Sequence, residues 1–242
     1  MILSTKGIVL HCMDYSETSV IAKIYTEQLG LQSYIAKGIR KKGSRIKKNL
    51  FAPLSILQLV ANHKEGEGLR VIRDASCAYH INGIASNINK TAVSFYMSEL
   101  LSRAISVQMA DKELFEILEN AIMMLDHTQE SVAGFPLYIT LTLAQHLGLN
   151  PRNNYTVNNQ VFDLMEGGFF HQAPDHPYYI TPPLSVSLSE TLRAIDSGII
   201  FLKTPHAVRT ELLSAVLTYF RLHLTGFGEL KSLQVLTDVL RD

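Results

Sequence analysis

Up to about residue 80, β-branched and aromatic residues fall in short runs divided by turn signals, a pattern that predicts strands. Ile8, Val9 and Leu10 centre the first run. Val20, Ile21, Ile24 and Tyr25 form the second, which ends at a turn on Leu29 and Gly30, and Leu31, Tyr34, Ile35 and Ala36 form the third. Pro53 opens a fourth through Leu54, Ile56, Leu57, Leu59 and Val60. After a polar turn over 63–68, Leu69, Val71 and Ile72 make the fifth. Five strands with a long charged loop between the third and fourth fit a small closed barrel of the OB type, although the pattern alone also fits other small barrels.

Beyond residue 82 the apolar period becomes helical. Asn89 is a candidate cap for a helix carrying Ala92, Phe95, Tyr96, Leu100 and Ala104. A second helix begins near Asp111 with Leu114, Leu118, Ala121, Ile122 and Leu125 inward and Glu113, Glu116 and Glu119 as a solvated acidic stripe. A third runs from about Pro136 to a stop at Gly148, and a fourth is expected near 189–200. Thr204 and Pro205 then suit the cap and first turn of a fifth. That helix is apolar nearly all round from Val208 to Leu224, which predicts the buried centre of the bundle. Residues 150–187 differ in being rich in Asn, Gly, Pro and Tyr, and Phe162, Leu164, Phe169 and Phe170 predict a β-hairpin turning on 166–168. The expected architecture is α+β: a five-stranded OB barrel over 1–80, then an all-helical domain over 81–242 with a small β-hairpin insertion.

Charge sharpens this picture. The chain is formally neutral, yet seven of its 22 Lys and Arg residues lie within positions 37–48, with no acid among them: Lys37, Arg40, Lys41, Lys42, Arg45, Lys47 and Lys48. Residues 1–80 carry 12 basic against 6 acidic side chains, and residues 81–242 carry 10 against 16. The front half is therefore suited to a polyanion, whose counterions the basic loop would release, and the back half to a different task. Lys6 and Lys23 extend the candidate groove, with Arg70 and Arg73 pointing to opposite faces of one strand. Tyr25, Tyr34 and Phe51 are candidate stacking platforms beside the loop, in competition with core positions. Cys12 and Cys77, the only cysteines, lack redox or metal spacing and read as small buried hydrophobes. No targeting signal or membrane-length apolar run is present, so a cytoplasmic location is expected.

Several of these residues, in this order, resemble the RecO family of bacterial recombination mediator proteins. Lys6, Gly7 and Ile8 match the family's first strand, and Asp14, Tyr15, Glu17 and Ser19 the turn after it. Thr26, Glu27, Gly30 and Leu31 stand at the hairpin, while Ala36, Lys37, Gly38 and Arg40 begin the basic loop. Near the end come Tyr219, Phe220, His223, Leu224 and Gly226, then Lys231, Ser232, Leu233, Val235 and Leu236. The resemblance implies DNA repair and recombination as the setting. It also implies RecR and the C-terminal tail of the single-stranded-DNA-binding protein as partners, with RecA reached indirectly. An acidic, apolar tail calls for an apolar pocket edged by cations, and Arg103, Lys112, Arg209 and Arg221 are the candidates on the helices. Many family members carry a four-cysteine zinc module between the helices. Here 150–180 holds no cysteine, and His171 and His176 alone fall short of a closed site, so no metal and no cofactor are expected.

No phosphate-cradling glycine loop, histidine pair for a metal, or nucleophile elbow occurs, and the histidines at 127, 146, 206 and 223 read as packed or surface residues. The expectation is a non-enzyme that binds single- and double-stranded DNA, anneals complementary strands and helps load RecA, located in the cytoplasm with the nucleoid. The alternative is an OB-fold RNA-binding factor whose helices dock a protein.

Overall fold

The computed structural model describes residues 2–39, 46–62, 68–105 and 109–241. Five strands, β1 (Ile2–Asp14), β2 (Val20–Thr26), β3 (Gly30–Ala36), β4 (Ile56–Asn62) and β5 (Arg70–Tyr79), close into a barrel of order β1-β2-β3-β5-β4. The β3–β5 pair is parallel and the others are antiparallel, which is the OB topology. β1 is longer than its apolar centre suggests because it serves two neighbours. Ile2 to Ile8 pair with β4, Gly7 to Asp14 pair with β2, and the register shifts between Val9 and His11.

Closure selects residues by size. Val9, Val20, Ile24, Tyr34, Leu57, Leu59 and Ile72 fill the interior. A Cβ on Gly7 would stand 2.6 Å from Ile24 Cγ2, so β1 passes too close to that side chain to carry one of its own. Gly30, at φ 62°, supplies the left-handed residue that the β2–β3 turn requires. The fourth strand starts later than the apolar run implies: Leu54 adopts φ 62°, buried, with its N–H donating to Val9 O at 2.8 Å, and regular pairing begins at Ile56.

The chain divides into two compact units, 1–127 and 128–242. The first unit therefore extends past the barrel to include α1 (Gly83–Ser86), α2 (Ile88–Ala104) and α3 (Lys112–His127). Asn87, not Asn89, caps α2, its side chain accepting from the N–H groups of Asn89 and Lys90. Asp111 does the same for α3 through Leu114 N. The one-turn α1, which the sequence pattern misses, is held by buried Asp126. Its carboxylate accepts from Ile84 N at 2.7 Å, Asn82 N at 3.4 Å and the Tyr79 hydroxyl at 3.0 Å.

The second unit contains α4 (Phe135–His146), a three-stranded sheet of β6 (Val161–Asp163), β7 (Gly168–Phe170) and β8 (Tyr179–Ile180), then α5 (Leu184–Asp196), α6 (His206–His223) and α7 (Ser232–Val239). α6 packs against both α4 and α5, as a central helix does, but α4 is the more fully enclosed of the two. No residue of α4 is exposed, whereas Ala207, Glu211, Ser214 and Arg221 form an exposed stripe along α6. The reason is polarity: α4 holds no charged residue, while α6 intersperses polar side chains with its apolar ones. Nor does Thr204 cap α6 with its side chain; its carbonyl instead accepts from Arg209 Nη1 at 3.0 Å.

The hydroxyls of Tyr25, Tyr34, Tyr79 and Tyr219 titrate above the ordinary value of 10. Burial raises Tyr25, Tyr34 and Tyr219, while burial and then Asp126 push Tyr79 up to about 12. The folded chain keeps protons that the unfolded chain releases, so stability must fall as pH rises through the unfolded value of about 10. Denaturant midpoints measured across that range are expected to drop in step with the tyrosinate absorbance. A flat profile would contradict the burial of these rings.

Candidate nucleic-acid interface

Three strand ends lie in one row at the rim of the barrel. Asp14, at the end of β1, pairs with Val20 at the start of β2, and Val20 pairs with Ala36 at the end of β3. Lys37 follows Ala36 directly and is exposed. The basic loop thus leaves the barrel from a rung next to the β1–β2 turn.

Its two ends are anchored by apolar side chains. Ile39 and Ile46 are both buried in the barrel core. Arg40, Lys41, Lys42 and Arg45 lie outside the described residues. Past Ile46 the chain forms a short 3-10 helix, Lys48–Phe51, that returns Phe51 to the core and leaves Lys47 and Lys48 exposed. Lys48 Nζ reaches Asp14 Oδ1 at 2.9 Å, with each side chain about half exposed (52% and 53%). A pair this open to water holds its partners weakly and leaves the ammonium available to a competing anion.

Other predicted residues do not join this rim. Lys6 lies eight residues before Asp14 on β1, about 25 Å along an extended strand. It binds Glu119 of α3 at 2.8 Å, a hydrogen bond that raises its pKa, so Glu119 is not simply part of a solvated stripe. Lys23 donates to Ser102 O at 3.0 Å in the last turn of α2, where burial lowers its pKa. Both cations serve the packing of helices on the barrel. Tyr34 and Phe51 are enclosed because closing the barrel turns these rings inward, whereas Tyr25, on the outer face of β2, is covered by α3, where it stacks on Phe115 and its hydroxyl donates to Asp111 O; none offers a face for stacking. Arg70 is buried and Arg73 exposed, on opposite faces as their spacing implies. Cys12 and Cys77 form no disulfide and are half-buried.

An aromatic that sequence reasoning left in a turn does stand at the rim. Tyr15 is 63% exposed, in the turn fixed by hydrogen bonds from Tyr15 N and Ser16 N to Ser19 O at 3.0 and 3.3 Å. Its setting between polar turn residues was the available signal, since a turn aromatic has no strand face to bury.

The comparisons with known proteins agree in one direction. A family model described as Recombination protein O N terminal matches residues 1–80, and one described as Recombination protein O C terminal matches 85–234. Proteins named DNA repair protein RecO are similar along almost their whole length: that of Bacteroides fragilis is 31% identical and that of Christiangramia forsetii 30%, each with 99% of both chains covered. The chain belongs to the RecO family. The RecO relative of Azobacteroides pseudotrichonymphae, 28% identical, covers 99% of both chains as well.

Within this RecO-family chain, the insertion does not fit a metal. It has no cysteine, and among the described residues no group of three or more His, Cys, Asp and Glu converges. The nearest approach is one pair, His176 Nε2 and Asp163 Oδ2 at 3.3 Å. Apolar packing and side-chain hydrogen bonds hold the strands instead. Phe162 and Phe169 meet edge to face at 4.9 Å, and Tyr155 meets Phe169 at 5.4 Å. Asn154 accepts from Phe169 N at 2.8 Å and donates to Phe169 O at 2.9 Å, which gives β7 a strand-like partner. Asp163 accepts from Met165 N and Glu166 N, fixing the turn over 164–167. Phe170 does not share in this core; it lies on the outer face and is exposed.

The four helical cations are likewise spread out. Arg103 pairs with Glu99 at 3.2 Å and Lys112 with Glu116 at 3.6 Å, both within one helix. Arg221 is exposed and donates to Thr218 Oγ1. Arg209 alone edges a shallow, mainly apolar groove, lined by Ala133, Pro136, Leu213, Leu236 and Leu240 with His206 beside it. Its guanidinium donates to Leu240 O at 2.7 Å as well as to Thr204 O, which ties the C-terminal end of α7 to the start of α6. No helix among the described residues is long and apolar enough to cross a membrane.

Proposed function

We propose that this chain is a DNA-binding recombination mediator that acts in DNA repair without chemistry of its own. Its barrel rim binds single- and double-stranded DNA and brings complementary strands together by neutralising their repulsion. It then helps RecA replace the single-stranded-DNA-binding protein, with RecR as a further partner. The observation that carries this reading is the convergence of exposed Lys37, Lys47 and Lys48 on one end of a closed OB barrel, at the two described ends of a segment with four more cations. Cations there gain entropy by releasing the counterions of a polyphosphate. Membership of a family whose relatives are named for DNA repair supports the same reading. The groove edged by Arg209 is proposed to receive the acidic, apolar tail of the single-stranded-DNA-binding protein, and the chain is proposed to work in the cytoplasm at the nucleoid.

Strand annealing with coated complementary oligonucleotides tests the proposal. The intact chain is expected to anneal them, and a chain with all seven cations of 37–48 changed to glutamine is not. If four to six phosphates are contacted, single-strand affinity should fall with a log–log salt slope of about −3 to −4. Equal annealing by the two chains removes the loop from the mechanism, and a preference for RNA over matched DNA would transfer the reading to an RNA-binding factor.

A further inference from the structure

Among the exposed side chains of the first unit, one aromatic sits where the cations converge. Past the β1 bulge, His11, Met13 and Tyr15 alternate outward and all are exposed, while Val9 faces the barrel core. Exposure of single apolar side chains is ordinary and by itself means nothing. The neighbours of Tyr15 are what set it apart.

Strand register places Asp14, Val20 and Ala36 on adjoining rungs, roughly 5 Å apart. Tyr15 leaves the first rung and Lys37 the third, and Lys48 is bound to Asp14, the residue next to Tyr15. The ring thus stands at the same end of the barrel as Lys37 and the segment that carries Lys47 and Lys48. Its backbone is pinned by the two hydrogen bonds to Ser19 O, so the ring projects from a fixed point. Among the described residues the Tyr15 side chain is engaged in no hydrogen bond or ring contact.

We propose that Tyr15 is the base-stacking platform of this rim, holding an unpaired DNA base while Lys37, Lys47 and Lys48 hold phosphates of the same strand. The inference rests on the DNA-binding reading above and adds what that reading lacks, a way to favour single strands. Cations attract phosphates of either DNA form. A ring face can be covered only by a base that is not already stacked within a duplex. Asp14 has a matching part: it holds Lys48 in free protein, and an incoming phosphate takes the ammonium from it.

The chain contains no tryptophan, so Tyr15→Trp installs a single reporter at the proposed contact. Oligothymidylate is expected to quench its emission, whereas an abasic oligonucleotide of equal length, bound through phosphates alone, leaves the emission unchanged. Tyr15→Leu should weaken oligothymidylate binding about tenfold or more with duplex affinity nearly unaltered, Tyr15→Phe should bind as the unmodified chain does, and Asp14→Asn should bind more tightly. Because Tyr15 is exposed, melting temperatures should stay the same in these variants. Equal quenching by abasic and thymidine strands overturns the proposal, as does unaltered binding by Tyr15→Leu. If Lys37, Lys47 and Lys48 changed together to glutamine lose binding while Tyr15→Leu does not, stacking fails and the cationic reading survives. If the unmodified chain shows no salt-sensitive binding to oligothymidylate, both fail.

Discussion

Asp126→Ala is expected to destabilise the first unit by about 3–5 kcal/mol, a large part of the stability of an ordinary domain. The carboxylate is 5% exposed and accepts three hydrogen bonds that join the end of β5 to α1. Its loss strands the buried Ile84 N away from water at the full desolvation cost of that donor, and leaves the half-buried Tyr79 hydroxyl only the His127 ring, 3.0 Å away, as a partner. Space around the site allows no simple repacking: a Cβ on nearby Gly83 would already fall 2.0 Å from Asp126 O. Asp126→Asn preserves shape and one acceptor oxygen, so it should cost clearly less than alanine. Urea unfolding of the two variants measures both effects. An alanine variant within about 1 kcal/mol of the unmodified chain would show that water replaces the carboxylate at little cost.

Phe169→Ala is expected to destabilise the second unit by a similar amount, about 3–5 kcal/mol, as deletion of an enclosed aromatic leaves a cavity lined by rings that cannot fully collapse. Phe169 packs against Phe162 and Tyr155, and its backbone is bracketed by the Asn154 side chain. Asn154→Ala should add to the damage less than its own single effect, because once β7 loosens the bracket has less to hold. A strong chelator should leave the melting temperature of the unmodified chain where it was. If chelation unfolds the insertion while Phe169→Ala costs little, a metal holds these strands and the packing account is wrong.

Of the residues these predictions turn on, Phe169 stood out in the sequence and Asp126 did not. Phe162, Leu164 and Phe169 were legible as hairpin core because they are apolar residues in a segment otherwise poor in them. Asn154 and Asp163 were not, since an amide or carboxylate in a polar loop looks the same whether it braces a strand or faces water. The candidate rim divides similarly. The density of Lys and Arg over 37–48 was plain from composition, whereas Lys6 and Lys23 looked equivalent until helices supplied Glu119 and Ser102 O as their partners. Tyr34 and Tyr15 exchanged places as candidate stacking residues. Alternation marks a strand tyrosine as facing one side or the other, but only closure of the barrel decides which side is inside.

What the sequence by itself determined was the kind of each segment: strands before residue 80, helices after it, a hairpin between helices, and a densely cationic stretch in the front half. Such features depend on local period, turn chemistry and charge, which neighbouring residues carry among themselves. The tertiary structure alone decided that the first compact unit continues to His127, that α4 is more fully enclosed than α6 in the second, and which cations face outward. These outcomes turn on pairings between residues far apart in the chain, as Lys6 with Glu119 and Tyr79 with Asp126, and no local pattern encodes a partner more than forty positions away.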